Sequence, residues 1–198
     1  MVLNRAIELG RWWLIFCGSL APILLLTWQA ASNQLGADPA KEIVLRTGEL
    51  AIIFLWISLA VTPLRKILKQ NWLAKYRRMM GLYGFFYSLA HLLAFATFII
   101  GWSPDLLVSE VTQRPYAIVG FVALLLLLPL ALTSTKRMQR KLKKNWVKLH
   151  KLVYIIAALA LLHVVWQIRS DFSQAFYYGV ILCFLLGYRF LNARKRSR

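Results

Sequence analysis

The sequence predicts an all-α membrane protein: a single bundle of six transmembrane helices over residues 1–198, with both termini on the cytoplasmic side. Three observations predict it. Hydrophobic residues make up 60% of the chain and the mean hydropathy is +0.58, more than a water-facing surface leaves room for. Six apolar runs are long enough to cross a hydrocarbon layer of about 30 Å as helices. The basic residues gather in alternate connections between those runs. A formal net charge of +18 would suggest nucleic acid as the partner of a soluble protein. Here the charges form short clusters between apolar runs, so the partner they imply is membrane lipid and no nucleic acid is expected.

The runs lie near 12–30, 44–62, 82–101, 116–133, 150–168 and 175–191. The first follows Arg5 and Arg11 and ends at Ala30-Ala31-Ser32, which invites comparison with a cleaved signal peptide. Its apolar stretch is longer than a signal core and no soluble domain follows, so it is expected to be retained. Pro63 is expected to end the second run, whereas Pro22 and Pro129 fall inside the first and fourth, where a bundle tolerates kinks. Cys17 and Cys183 sit far apart in the first and last runs with no C-x-x-C, which argues against a disulfide or iron–sulfur framework and reads as helix packing. Trp12, Trp13, Trp102, Tyr116, Trp146, Trp166 and Tyr188 fall near run ends, where amphipathic rings prefer the interface. No internal repeat is evident. The connections are short, so no separate catalytic domain is expected, and the work of the chain is expected inside the membrane.

Charge sets the orientation. Arg5 and Arg11, the 65–78 connection, the 136–148 connection and the tail together hold 19 of the 25 basic residues, with one acid, Glu8. The opposite side carries Lys41, Arg46, Arg114 and Arg169 against six acids: Asp38, Glu42, Glu49, Asp105, Glu110 and Asp171. Lys151 and Arg189 sit just inside run ends on the basic side. The positive-inside rule places that side in the cytoplasm.

Three histidines, His91, His150 and His163, all lie in the third and fifth runs. Ionisable groups at membrane depth are costly and mark sites or pathways, and two imidazoles filling both axial positions suit a haem that transfers electrons. At 1.5 Å per residue, His91 lies about 14 Å and His163 about 20 Å from the inner ends of their helices, with His150 near zero. Similar depth makes His91 and His163 the expected iron ligands. His150 would serve a second site near the cytoplasmic face. Fourteen residues before His91 stands Arg77, about 40° away on an ideal helix, whose fork suits a propionate or a flavin phosphate rather than iron. The thirteen-residue step from His150 to His163 turns an ideal helix by about 220°. Either the fifth helix is distorted near its start, or His150 serves a differently placed cofactor.

The stretches RRMMGLYGFFYSLAHLLAF (77–95) and TSTKRMQRKLKKNWVKLHKLVYIIAALALLHVVW (133–166), with VTPLR at 61–65, resemble the MsrQ (YedZ) family over nearly the whole chain. Its members are the haem-binding membrane subunits of bacterial methionine sulfoxide reductase systems, within the ferric-reductase-like transmembrane superfamily. The resemblance implies a multi-pass protein of the bacterial inner membrane that carries haem b and FMN. It implies electron delivery to MsrP, a periplasmic molybdopterin enzyme, with the quinone pool or a cytosolic flavin reductase as donor. The family's haem-associated histidines carry over onto His91, His150 and His163. Many relatives in the superfamily have two histidines on the third helix; this chain has only His91 there and Arg77 where the other would stand, so the resemblance implies one haem at His91–His163 and leaves a second at His150 without a matching histidine. No nucleophile–base arrangement appears, so no catalytic residue is expected and the chain reads as an electron-transfer subunit. Two rival classes predict a colourless protein: a small transporter whose histidines relay protons, and an anchor that only recruits an enzyme. The lack of Asp or Glu in the last four runs and of an inverted repeat argues against the transporter.

Overall fold

The computed structural model describes residues 2–168 and 170–194. Arg169 of the outer side, and Lys195, Arg196 and Arg198 of the basic tail, lie outside the described residues. Helix α1 spans Val2–Ala31 and α2 Pro39–Ile67. A 3-10 turn at Asn71–Tyr76 leads into α3, Arg77–Phe95, which closes in a π turn at Ala96–Ile100. Then come α4 (Pro104–Gln113), α5 (Pro115–Leu132), α6 (Lys136–Leu142), α7 (Lys144–His150), α8 (Leu152–Gln167) and α9 (Ser173–Arg194). Among the described residues, six segments are long and apolar enough to cross a membrane: Arg5–Ala31, Pro39–Ile67, Asn71–Ile100, Pro115–Leu132, Lys144–Gln167 and Ser173–Asn192. All six expected runs are therefore helical.

The helix starts follow ordinary capping chemistry. Asp38 accepts a hydrogen bond from the Lys41 amide ahead of Pro39, and Ser103 does the same for Leu106 ahead of Pro104. Proline in the first turn gives up an amide that has no partner there anyway. The second of these caps starts α4, a ten-residue helix in what the hydropathy pattern treats as a connection. A left-handed Gly101 ends the preceding π turn, a conformation glycine adopts without Cβ strain.

Helix α2 is the most enclosed of the six, and its neighbours divide the core in two. One cluster joins Ile52, Leu55 and Leu59 of α2 to Leu127 of α5, Ile156 and Ala157 of α8 and Leu182 of α9. The other joins Phe54 of α2 to Met80, Tyr83 and Tyr87 of α3, with Phe16 and Leu20 of α1 packed against it. Polar tips inside the bundle find main-chain acceptors. The Tyr83 hydroxyl donates to Phe16 O at 2.8 Å and Tyr87 to Ser19 O at 2.6 Å, tying α3 to α1. The Trp56 indole donates to Tyr178 O. Leu14, Leu24, Leu125, Phe176 and Phe184 are among the large apolar side chains that face outward, as a lipid-covered surface requires.

Two expectations change. Pro63 does not end its helix, which continues to Ile67. A proline inside a helix frees the carbonyl four residues earlier, here that of fully buried Leu59. Arg189 of α9 supplies the missing donor, with its guanidinium 2.6 Å from Leu59 O and 2.8 Å from the Tyr154 hydroxyl. The helix therefore runs on without an orphaned acceptor. Cys17 and Cys183 are exposed on the rim of the bundle rather than packed between helices, because a small thiol is apolar enough to face lipid.

Candidate functional site

Helix α3 carries His91 and α8 carries His163 into the interior, where their ring centres lie 6.2 Å apart with planes at 78°. The expected pair is brought together. Each ring is held from behind by a different helix. His91 Nδ1 lies 2.9 Å from Val44 O of α2, and His163 Nδ1 lies 2.7 Å from Tyr116 O of α5. A carbonyl oxygen only accepts, so Nδ1 of each ring carries the proton and Nε2 keeps its lone pair. A metal-ligating histidine shows this arrangement: one nitrogen on the metal, the other fixed by a backbone partner.

The donor set can be tested against a metal. At about 2 Å per metal–nitrogen bond, two imidazoles on opposite sides of one ion stand about 6 Å apart, centre to centre, and the observed separation is 6.2 Å. Among the described residues no three His, Cys, Asp or Glu side chains come together. An ion shared by these two histidines therefore needs its remaining donors from a non-protein source. A planar macrocycle with four equatorial nitrogens meets that need and a bare ion does not.

His150 does not join this pair. It ends α7, stacks on Trp146 with ring centres 3.9 Å apart, and bonds through Nδ1 to Trp146 O at 3.1 Å. Lys151, between α7 and α8, keeps right-handed helical dihedrals (φ −70°, ψ −19°), and Lys144–Gln167 forms one apolar span, so His150 and His163 point different ways around it. Arg77 opens α3 at the basic end, and its carbonyl faces the Ser58 hydroxyl at 3.4 Å. Its guanidinium lies within electrostatic reach of Arg65, Arg189, Tyr154 and His150. A cavity of about 470 Å³ lined by Gln34, Asp38, Glu42 and Arg46, among others, sits at the α1–α2 connection, and none of the three histidines lines it.

Sequence reasoning missed the acceptors. Val44 and Tyr116 act through main-chain carbonyls, which leave no mark in residue type. A signal did exist in spacing: each acceptor precedes its histidine by 47 residues. The helix pairs involved, α2 with α3 and α5 with α8, are also the most extensively packed in the fold. The site is thus built twice from one pattern, a repeat of geometry that the sequence does not display as similarity. Arg189 was missed as well, hidden among the other basic residues near its end of the bundle.

Comparison with known proteins agrees with this architecture. Residues 45–161 match the family model described as the ferric reductase like transmembrane component, a stretch that includes His91 and His150 and stops just short of His163. Curated relatives named protein-methionine-sulfoxide reductase heme-binding subunit MsrQ match almost end to end. The one from Xanthomonas oryzae pv. oryzae is 47% identical over 182 residues, 89% of this chain and 84% of the relative. That from Xanthomonas euvesicatoria pv. vesicatoria is 46% identical, with 93% and 88% covered. That from Polaromonas naphthalenivorans is 42% identical, with 93% and 86% covered. No solved structure matches. The paired histidines thus sit in a chain that belongs to the MsrQ family of ferric-reductase-like transmembrane proteins.

Proposed function

We propose that this chain is the haem-binding, electron-relaying subunit of a protein-methionine-sulfoxide reductase system in the bacterial inner membrane, with His91 and His163 as the axial ligands of one b-type haem. The observation that carries the reading is the pair of imidazoles 6.2 Å apart, each with Nδ1 bound to a main-chain carbonyl and Nε2 left to ligate. The relatives are named as heme-binding subunits of such a reductase, so sulfoxide reduction itself belongs to the partner. When bound, haem supplies a one-electron redox centre, which the apolar side chains of a bundle cannot supply themselves. The residues of the chain fix its ligands. Val44 O and Tyr116 O lock the tautomer and orientation of the rings, so that both would present Nε2 to a bound haem.

The finer assignments rest on charge and proximity. Both termini are placed in the cytoplasm by the basic connections. The acceptor is then MsrP on the acidic outer face, and electrons come from the quinone pool or a cytosolic flavin reductase. His150 and Arg77 are read as a second cofactor position near the basic end. There, Arg77 with Arg65 and Arg189 nearby suits the propionates of a second haem or the phosphate of FMN.

The test is the absorption spectrum of protein purified with ample haem supply, with haem and flavin counted per polypeptide. Unmutated protein is expected to show the bands of low-spin b-type haem. His91→Ala and His163→Ala are each expected to abolish or convert them. A colourless protein, or an unaltered low-spin spectrum in either variant, overturns the assignment.

A further inference from the structure

Both histidines reach a carbonyl that a helix normally screens. In an α-helix each Cβ leans toward the N-terminus, so the side chain four residues on overhangs the carbonyl of residue i. Four residues after Val44 stands Gly48, and four after Tyr116 stands Gly120. A Cβ at Gly48 would lie 3.1 Å from His91 Nδ1 and Cε1. A Cβ at Gly120 would lie 2.7 Å from His163 Nδ1 and 2.8 Å from its Cε1. Gly10, Gly18 and Gly187, also on helices, have nothing within 4 Å of the same position. The two bare patches therefore lie where an imidazole edge meets the main chain.

We infer that Gly48 and Gly120 are positioning residues for the two haem ligands, and that they differ in tolerance. This rests on the haem reading given above. The missing side chain opens each carbonyl to Nδ1–H, and that hydrogen bond fixes the ring so that Nε2 would be the nitrogen left for a metal. At Gly48 a methyl group requires the ring to give by a few tenths of an ångström, which a side chain can do while keeping its bond. At Gly120 the approach is closer than real Cβ contacts allow, so the ring must shift from the position in which it bonds Tyr116 O. Helix propensity pushes the other way: alanine is the better helix former, so a methyl group that met no neighbour would stabilise α5.

The experiment compares Gly48→Ala, Gly120→Ala and the open-helix control Gly187→Ala in full-length protein, by haem affinity and by thermal unfolding of the haem-free form. Loss of a ligand's orienting partner weakens metal binding by about 10–100-fold, and Gly120→Ala is expected in that range. Gly48→Ala is expected to weaken it far less, and Gly187→Ala not at all. Gly120→Ala is also expected to lower the unfolding midpoint, and to lose that effect in a His163→Ala background, where no ring remains to collide. Unchanged haem affinity in Gly120→Ala overturns the inference. So does a loss of stability that persists without His163, which would assign the glycine to helix packing alone. If the unmutated protein proves colourless, the haem reading fails by itself, and the double-mutant comparison still decides whether Gly120 seats His163.

Discussion

Individual histidines differ here in where they find their main-chain partner. His91 and His163 each reach a carbonyl of another helix, while His150 has satisfied Nδ1 within its own helix and laid its ring on Trp146. His150→Ala is therefore expected to leave the low-spin spectrum of the His91–His163 haem intact. Any loss should be confined to a second pigment or to flavin, both counted per polypeptide by extraction. Disappearance of the whole spectrum would mean that His150 ligates the first iron. The pairing of His91 with His163 was legible in the sequence because depth in a membrane follows from counting residues along a helix. Their carbonyl partners were not legible, because a main-chain acceptor has no residue identity.

At the scale of the helix, Pro63 and Arg189 act as one device. The proline frees Leu59 O inside a dry core, and a guanidinium from another helix covers it. Arg189→Met should cost about 1–3 kcal/mol, the range for leaving a buried polar group unsatisfied. The cost should shrink in a Pro63→Ala background, because alanine, unlike proline, brings an amide that can donate to Leu59 O. Thermal unfolding of the four proteins in detergent measures the coupling, and strictly additive effects would refute it. The six spans themselves were legible, since twenty apolar residues have few other fates. Helix α4 was not, because its only apolar run, Leu106-Leu107-Val108, is too short to show a helical period. The Ser103-Pro104-Asp105 start was its one available signal. Pro63 misled because a stop signal describes an isolated helix, whereas a bundle can bring a donor from elsewhere.

Across the whole molecule the two ends keep the charge contrast read from the sequence. At the basic end, Glu8 pairs with Lys75 at 2.6 Å and Arg11 lies over Trp72, so α1 is pinned to the turn before α3. At the other end Arg46 pairs with Glu42 and Arg114 with Glu110, which neutralises two of the six acids and leaves Asp105 and Asp171 more prominent. The Ser173 hydroxyl and amide hold the Asp171 carboxyl below its ordinary range. A depressed value means that this charge is present at neutral pH and is lost only as pH falls through the lowered value, so a mildly acidic exterior does not erase it. If a partner with a basic patch docks here, Asp105→Asn with Asp171→Asn should slow electron transfer at low salt and flatten its salt dependence. Glu110→Gln should do less. An unchanged salt profile in the double variant would exclude these acids from docking.

The carbonyl seats behind the two imidazoles have an energetic consequence. Both ring N–H protons are committed to main-chain oxygens, which do not take up protons in the physiological range, so the two rings would offer a bound redox group no proton to accompany its electron. Under the electron relay proposed above, a transfer from the basic end to the acidic end without a proton would carry net charge across the membrane. Such a step is electrogenic, and a membrane negative on the basic side drives it outward by about 2.3 kcal/mol per 100 mV for a full crossing.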